Sequence, residues 1–295
     1  MGVIEKDGKF YPDEEFKSKA LIDSYEKYQE MYKRSIEDPE SFWGEMAEEL
    51  FWYKKPEKIL DYNFDINKGK VFHEWFKGGY TNVCYNALDR HLETPAKNRV
   101  ALLWQGEPDE DVKVFSYQML HREVCRFANV LKKKGLKKGD RVCIYLPMIW
   151  ELPVAMLACA RLGLIHAIVF GGFSADALRD RVQESESKLL ITVDQTLRNG
   201  RKFDLKTNGD EALKDSPSVT DCIVVKRTGS EIPWIEGRDT WWHEEMAADD
   251  ITDYCECEQM EAEDPLFILY TSGSTGKPKG QRSEEHTSEL QSLLI

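Results

Sequence analysis

RVCIYLPMIWELPVAMLACARLGLIHAIVFGGFSADALRDRVQESESKLLITV, residues 141–193, is the stretch whose reading decides the fold. It holds three apolar runs, 142–146, 165–170 and 189–193, whose starts near Arg141, Ile165 and Leu189 are evenly spaced along the chain. Between them lie two helical patterns, 151–162 ending at Gly163 and 174–186 after Ser174. Parallel strands need a crossover of a dozen or more residues, usually a helix. Strands buried on both faces read as continuous apolar runs, as these do. The expected architecture is therefore α/β with a largely parallel sheet. Ligands in such sheets bind beyond the carboxyl ends of the strands, which singles out Gly171-Gly172 and the segment from Asp194 onward.

Upstream, runs 100–104 and 112–115 flank Gly106-Glu107-Pro108-Asp109, a hairpin signal. Ser116 is a candidate cap for a helix that buries Leu120, Val124, Phe127 and Leu131. Downstream, 222–225 reads as a further strand and Trp241-Trp242-His243 as an aromatic packing segment. The segment 1–60 reads as helical. Tyr25, Tyr28 and Tyr32 form a stripe at helical spacing, and Asp38-Pro39-Glu40 starts a helix with Phe42, Trp43, Met46 and Leu50 on one face. This segment is expected to form an N-terminal extension packed on a larger body.

The 295 residues are 41% hydrophobic and 11% aromatic, enough for a sizeable core, which excludes a disordered or fibrous chain. The net charge of −13 argues against broad nucleic-acid binding. The longest stretch free of charged residues, 162–175, falls short of the roughly 20 residues a spanning helix needs. The N-terminus shows no signal-peptide pattern, and Lys6 breaks the myristoylation pattern that Gly2 invites. Seven cysteines, mostly inside apolar segments, read as reduced, buried thiols of a cytosolic protein. A zinc site at Cys255 and Cys257 would need two further ligands, and only His243 is near in sequence, so these read as structural thiols. His166, in an apolar strand, reads as a satisfied core histidine; His121 and Arg122 read as packing and solvation residues.

The strongest chemical signal follows a fourth apolar run, 266–270. It is Thr271-Ser272-Gly273-Ser274-Thr275-Gly276-Lys277-Pro278-Lys279-Gly280. Three glycines permit close backbone approach, four hydroxyls donate hydrogen bonds, and two lysines supply positive charge. That combination suits a polyphosphate. It is not a Walker A loop, because Thr271 stands where that motif has glycine and Pro278 where it has Ser or Thr. A kinase or NTPase of that class is accordingly disfavoured.

The segment 270–280 resembles the signature loop of the adenylate-forming superfamily of acyl-CoA synthetases, adenylation domains and luciferases. Segments 80–86, 89–91, 121–129, 170–174 and 264–270 are similar to AMP-forming acetyl-CoA synthetases, and the likeness runs from about residue 20 to Gly280. The resemblance implies an incomplete N-terminal part of the large domain of an adenylate-forming enzyme. It divides the chain into a helical extension and lead-in, 1–98, the first part of the AMP-binding domain, 99–280, and a tail, 281–295. It implies an acetate–CoA ligase in which acetate and Mg²⁺-ATP give acetyl-adenylate and pyrophosphate, and coenzyme A then takes the acetyl group as AMP leaves. Thr271, Ser272, Gly273, Ser274, Thr275, Gly276, Lys277 and Lys279 would hold the ATP phosphates. Arg198, Asn199, Gly200 and Arg201 match the family's Arg-x-Gly-Arg segment and would bind the nucleotide portion of coenzyme A, with Gly171 and Gly172 bordering its channel. Without the family, Arg198 and Arg201 would read as an exposed basic turn.

No catalytic residue and no metal ligand is expected in 1–280, because the family's acyl pocket, adenine and ribose contacts and adenylation lysine lie later in longer chains. The resemblance further implies small-molecule substrates, a cytoplasmic protein, and an inactive piece of a longer enzyme. Residues 282–292 resemble translated sequencing adapter, so 281–295 is expected to carry no evolved function, although its periodicity allows a short helix. Two other readings stand beside this one: a propionyl-CoA or other short-chain acyl-CoA synthetase, and a nucleotide-binding module without enzymatic activity.

Overall fold

In the computed structural model, which describes residues 3–271 and 279–284, the chain divides into two compact units. One comprises Met1–Leu50 and Ile59–Glu74; the other comprises Phe51–Lys58 and Trp75–Ile295.

In the second unit, β1 (Val100–Gln105) and β2 (Val112–Ser116) form the expected antiparallel hairpin. Ser116 Oγ accepts the Met119 N–H at 3.2 Å and caps α1 (Tyr117–Lys133). The decisive stretch then unfolds as expected: β3 (Arg141–Leu146), α2 (Glu151–Arg161), β4 (Ile165–Phe170), α3 (Ala175–Ser185) and β5 (Leu189–Val193). A short hairpin of β6 (Gln195–Arg198) and β7 (Arg201–Asp204) leads into α4 (Leu205–Leu213). The chain continues through β8 (Asp221–Val225), β9 (Asp239–Trp241), α5 (Trp242–Ala247), β10 (Pro265–Thr271) and β11 (Lys279–Glu284).

Seven strands make one sheet in the order β9-β8-β5-β3-β4-β10-β11, parallel throughout except for the antiparallel last pair. Every residue of β5 and all of β3 but Arg141 are buried, which is why they read as unbroken apolar runs. Each buried Val, Leu or Ile there contributes about 1.5–3 kcal/mol. Trp242, from the aromatic segment, is buried against Phe127 of α1 with ring centroids 3.7 Å apart.

The connections decide where a ligand fits. The chain steps from β3 to β4 in one direction, then back past β3 to β5 in the other. Right-handed crossovers put α2 and α3 on opposite faces, and α2 indeed packs beside α1 while α3 packs beside α4. The loops leaving β3 and β4 therefore diverge, opening a crevice at their carboxyl ends.

One expectation is corrected, and a helix that the tail's periodicity allows is not taken up in its described part. Gln281–Glu284 are not helical: they continue β11, with Gln281 opposite Leu269, Arg282 opposite Ile268 and Ser283 opposite Phe267. The outer edge of β10 needs partners for its backbone groups, and an extended polar segment supplies them. The rest of the tail, 285–295, lies outside the described residues. The segment 1–60 is also not helical throughout. Val3–Lys6 and Lys9–Pro12 form a hairpin around Asp7-Gly8, both with positive φ (54° and 71°), the conformation that an Asp-Gly turn favours. Helix Tyr25–Glu37 does form, but it has no buried residue. Its tyrosine stripe is an exposed ladder, with centroids 6.2 and 6.1 Å apart along Tyr25, Tyr28 and Tyr32. Helix Pro39–Ala47 starts as read, with Asp38 accepting from the Ser41 N–H at 3.2 Å and Phe42 buried.

Candidate functional site

The crevice at the ends of β3 and β4 is a cleft of about 350 Å³. Its walls include Pro147 and Met148 after β3, Gly171 and Gly172 after β4, and Arg198 at the end of β6. The structure thus brings together Gly171, Gly172 and Arg198, which sequence reasoning assigned to one ligand. Close approach favours a glycine at both positions. A Cβ on Gly171 would lie 3.2 Å from the Pro147 backbone nitrogen and 3.0 Å from Leu205; one on Gly172 would lie 2.6 Å from the Phe170 ring. The loop is pinned by the Tyr145 hydroxyl, which donates to the Phe173 carbonyl at 2.7 Å.

Arg198-Asn199-Gly200-Arg201 is the tip of the β6–β7 hairpin. Asn199 (φ 52°) and Gly200 (φ 70°) both occupy the left-handed region, as a tight hairpin turn of this kind requires. Arg198 and Arg201 are directly opposite each other across the ribbon, so their side chains leave on one face. Both are exposed, and neither has an ion-pair partner among the described residues. Two planar guanidinium forks side by side suit a phosphate. The start of the hairpin is tied to the 227–229 segment by Asp194, whose fully buried carboxylate accepts from the backbone N–H groups of Gln195, Arg227, Thr228 and Gly229 at 2.6–3.0 Å.

Of the hydroxyl- and glycine-rich loop, Thr271 and Lys279 are described: they are register partners at the mouth of the β10–β11 hairpin, and both are exposed. Ser272, Gly273, Ser274, Thr275, Gly276 and Lys277 lie outside the described residues. The strand that delivers this loop is tied to the cleft. The guanidinium of Arg181 lies 4.7 Å from the Phe173 ring centroid and 5.2 Å from that of Tyr270, and the Tyr270 hydroxyl donates to the Arg181 carbonyl at 3.1 Å. Burial pushes that hydroxyl up to about 12, so it stays a neutral donor. One arginine thereby couples the bases of the two loops that follow the neighbouring strands β4 and β10.

Sequence reasoning missed two features. The first is Glu107, whose carboxylate accepts from the Asn199 N–H and, at 3.1 Å, from the Gly200 N–H. The second is a buried polar cluster behind the sheet. Arg161 donates to both oxygens of Asp89 at 2.8 Å and to the Cys255 carbonyl at 2.5 Å, and His121 Nε2 lies 3.2 Å from Asp89 Oδ1. Burial alone would lower the His121 imidazole, but hydrogen bonds with Asp89 and Cys125 prevail and raise it to about 9. The Asp89 carboxyl is opposed by its burial yet held below the usual range by His121 and Arg161. Cys257 does not look toward His243: its Sγ, the Cys84 Sγ and an Asp89 oxygen lie within 4.8 Å of one another. Arg161 already engages both Asp89 oxygens at that point, so a guanidinium supplies the positive charge a cation would bring. All seven cysteines are buried free thiols. No signal short of the fold could have joined residues this far apart in sequence.

His166 departs from its reading as a satisfied core histidine. Its Nδ1 has no hydrogen-bond partner among the described residues, and burial pushes it down to about 4, so the ring is neutral. It packs beside Phe267, with centroids 5.6 Å apart, as an aromatic core residue between β4 and β10.

Comparisons with known proteins match most of the chain. The family model of AMP-binding enzymes matches residues 88–281, and that of the acetyl-coenzyme A synthetase N-terminus matches residues 28–87. The chain is 52% identical over 276 residues to an acetyl-coenzyme A synthetase of Alkalilimnicola ehrlichii, a match covering 93% of this chain and 42% of that protein. It is 53% identical over 277 residues to that of Magnetococcus marinus, with the same coverage. Among solved structures, acetoacetyl-CoA synthetase from Streptomyces lividans superposes with a TM-score of 0.80 at 27% identity, over 93% of this chain and 40% of that one. The chain spans about two-fifths of the length of the curated relatives it matches.

Proposed function

The chain belongs to the AMP-binding enzyme family, and on that premise we propose that the whole protein activates acetate. In the first step an acetate oxygen attacks the α-phosphorus of Mg²⁺-ATP, acetyl-adenylate forms, and pyrophosphate leaves. In the second the coenzyme A thiol attacks the acetyl carbonyl, the thioester forms, and AMP leaves. The observation that carries this reading is the juxtaposition at the switch point of the sheet: Arg198, with Arg201 opposite it on the ribbon and no ion-pair partner for either among the described residues, lines one cleft with the Gly171-Gly172 loop, and the phosphate-type segment follows the next strand in sequence. The acetyl-coenzyme A synthetase names of the relatives, at 52–53% identity, favour acetate as the acid.

In this proposal Thr271, Ser272, Gly273, Ser274, Thr275, Gly276, Lys277 and Lys279 hold the β- and γ-phosphates. Negative charge grows on the departing pyrophosphate, and donors fixed before the reaction stabilise it without reorganising. Arg198, Asn199, Gly200 and Arg201 take the nucleotide end of coenzyme A, while Gly171 and Gly172 form the channel wall against which no side chain fits. The proposed division is 1–98 as lead-in, 99–280 as the first part of the AMP-binding domain, and 281–295 outside it. No described helix is long and apolar enough to cross a membrane, and we place the protein in the cytoplasm. The test is acetate-dependent ATP–pyrophosphate exchange by the whole protein. Replacing Lys277 and Lys279 by Ala is expected to lower exchange at least about tenfold; an undiminished rate would overturn the assignment of the loop.

A further inference from the structure

Arg198 and Arg201 have no ion-pair partner among the described residues, while the Glu107 carboxylate beside their turn binds something else. Glu107 reaches from the β1–β2 hairpin to the tip of the β6–β7 turn, and both its oxygens accept backbone N–H groups, from Asn199 and Gly200. Two successive N–H groups in left-handed residues form a concavity that receives an anion. Here the anion is the protein's own. The hairpin that carries it is acidic at its tip, with Glu107, Asp109, Glu110 and Asp111 close together in sequence, of which Asp111 pairs with Arg227. Its stem is joined to the cleft wall, because Trp104 Nε1 donates to the Met148 carbonyl at 2.8 Å and Met148 lines the cleft.

We propose that the Glu107 carboxylate is a stand-in for a phosphomonoester, occupying the seat formed by the Asn199 and Gly200 amides until the phosphate of an incoming nucleotide displaces it. This rests on the reading of 198–201 as a nucleotide-binding turn and adds to it the backbone amides as the seat and Glu107 as the competitor. The ligand class is a phosphorylated adenosine such as the nucleotide end of coenzyme A. A phosphate dianion on the Arg198/Arg201 face brings more charge than a carboxylate and more acceptor oxygens, so it satisfies the amides and the guanidiniums together. A carboxylate on a short tether satisfies the amides alone. Displacement frees the 105–111 tip, and the acidic residues there leave the turn as the ligand arrives. Selectivity follows: a neutral or singly charged ligand gains too little to evict Glu107.

The experiment measures binding of adenosine 3′,5′-bisphosphate by calorimetry at fixed ionic strength, to the chain itself, to Glu107→Gln and to the Arg198→Ala/Arg201→Ala double variant. Glu107 is on an exposed loop, so Glu107→Gln keeps the fold, which its melting curve checks. Removing the competing charge is expected to tighten binding about fivefold, and the double arginine variant to weaken it about tenfold. Amide exchange across 105–111 is expected to rise when the ligand binds the unaltered chain. Binding that the arginine substitutions abolish while Glu107→Gln leaves it unchanged or weaker overturns this inference alone. Absent binding in all three chains, or equal binding in all three, overturns the inference together with the reading it rests on.

Discussion

Arg161 and Arg198 carry the same guanidinium group to opposite ends. Arg161 is 1% exposed and is saturated: two bonds to Asp89, one to the Cys255 carbonyl, and a contact at 3.5 Å with the Cys84 sulfur. Arg198 is exposed beside Arg201, a like charge directly across the ribbon, with no carboxylate among the described residues to answer either. A buried charge is tolerated only when paired and hydrogen-bonded, so Arg161 holds parts of the chain together and has nothing left for a ligand. Two like charges facing each other destabilise a hairpin slightly, so the Arg198 pair makes no sense as a structural device and good sense as a receptor. Charge that is paired builds the molecule; charge left unpaired at a cleft serves what enters it.

The contrast is broken most severely at Arg161. Arg161→Met leaves the largely buried Asp89 carboxylate with only His121 and the weak Cys257 thiol donor among the described residues. Removing one partner of a buried pair costs about 3–5 kcal/mol, read as a shift of the urea midpoint. A loss under about 1 kcal/mol would mean that water reaches Asp89 and that the cluster is not the buried clasp described here.

Next in size are two histidines that titrate in opposite directions. His121, in the Asp89–Arg161–Cys125 cage, is raised from 6.5 to about 9. Its contribution is complete below the unfolded value of about 6.5 and is lost as pH climbs through 9, worth about 3 kcal/mol in all. His166, without a partner for Nδ1 among the described residues, is lowered to about 4. The unfolded chain takes up that proton first, so stability falls as pH drops from about 6.5 toward 4, again by about 3 kcal/mol. Unfolding free energy measured against pH should peak near 6.5. His121→Gln should flatten the alkaline limb and leave the acid limb, and His166→Phe should do the reverse; equal flattening of both limbs by one substitution would sink the assignment.

How much of this was legible in the sequence divides along physical lines. Strands β3, β4 and β5 were, because burial on both faces writes an unbroken apolar run, and their regular spacing announced the crossovers. The Gly171 loop and the Arg198 turn were located because each follows a strand whose end was visible. What could not be read depends on contacts across the fold. Nothing local says that Glu107 meets Gly200, far along the chain, or that Cys257 meets Cys84 rather than His243. Asp7-Gly8 was a readable turn signal, but the helical reading of 1–60 passed over it. The strand at Gln281–Glu284 follows from the open edge of β10, which no property of that short segment contains. The loop 272–278 was the clearest motif in the chain, and its chemistry rests on composition and family alone.

The smallest expected effect is the most telling. Arg198→Ala should change the unfolding free energy by no more than about 0.5 kcal/mol, and in the stabilising direction, because it removes one of two like charges held across from each other. The same substitution should weaken adenosine 3′,5′-bisphosphate about threefold, less than the double arginine variant does, since one guanidinium grips a phosphate more weakly than two. Stability and affinity thus move apart at Arg198, whereas at Arg161 stability falls first. If Arg198→Ala instead cost more than about 1.5 kcal/mol in the urea midpoint, the arginine would have a partner in the folded chain. The turn would then belong with the buried cluster as part of the framework, and the difference between the two arginines would vanish.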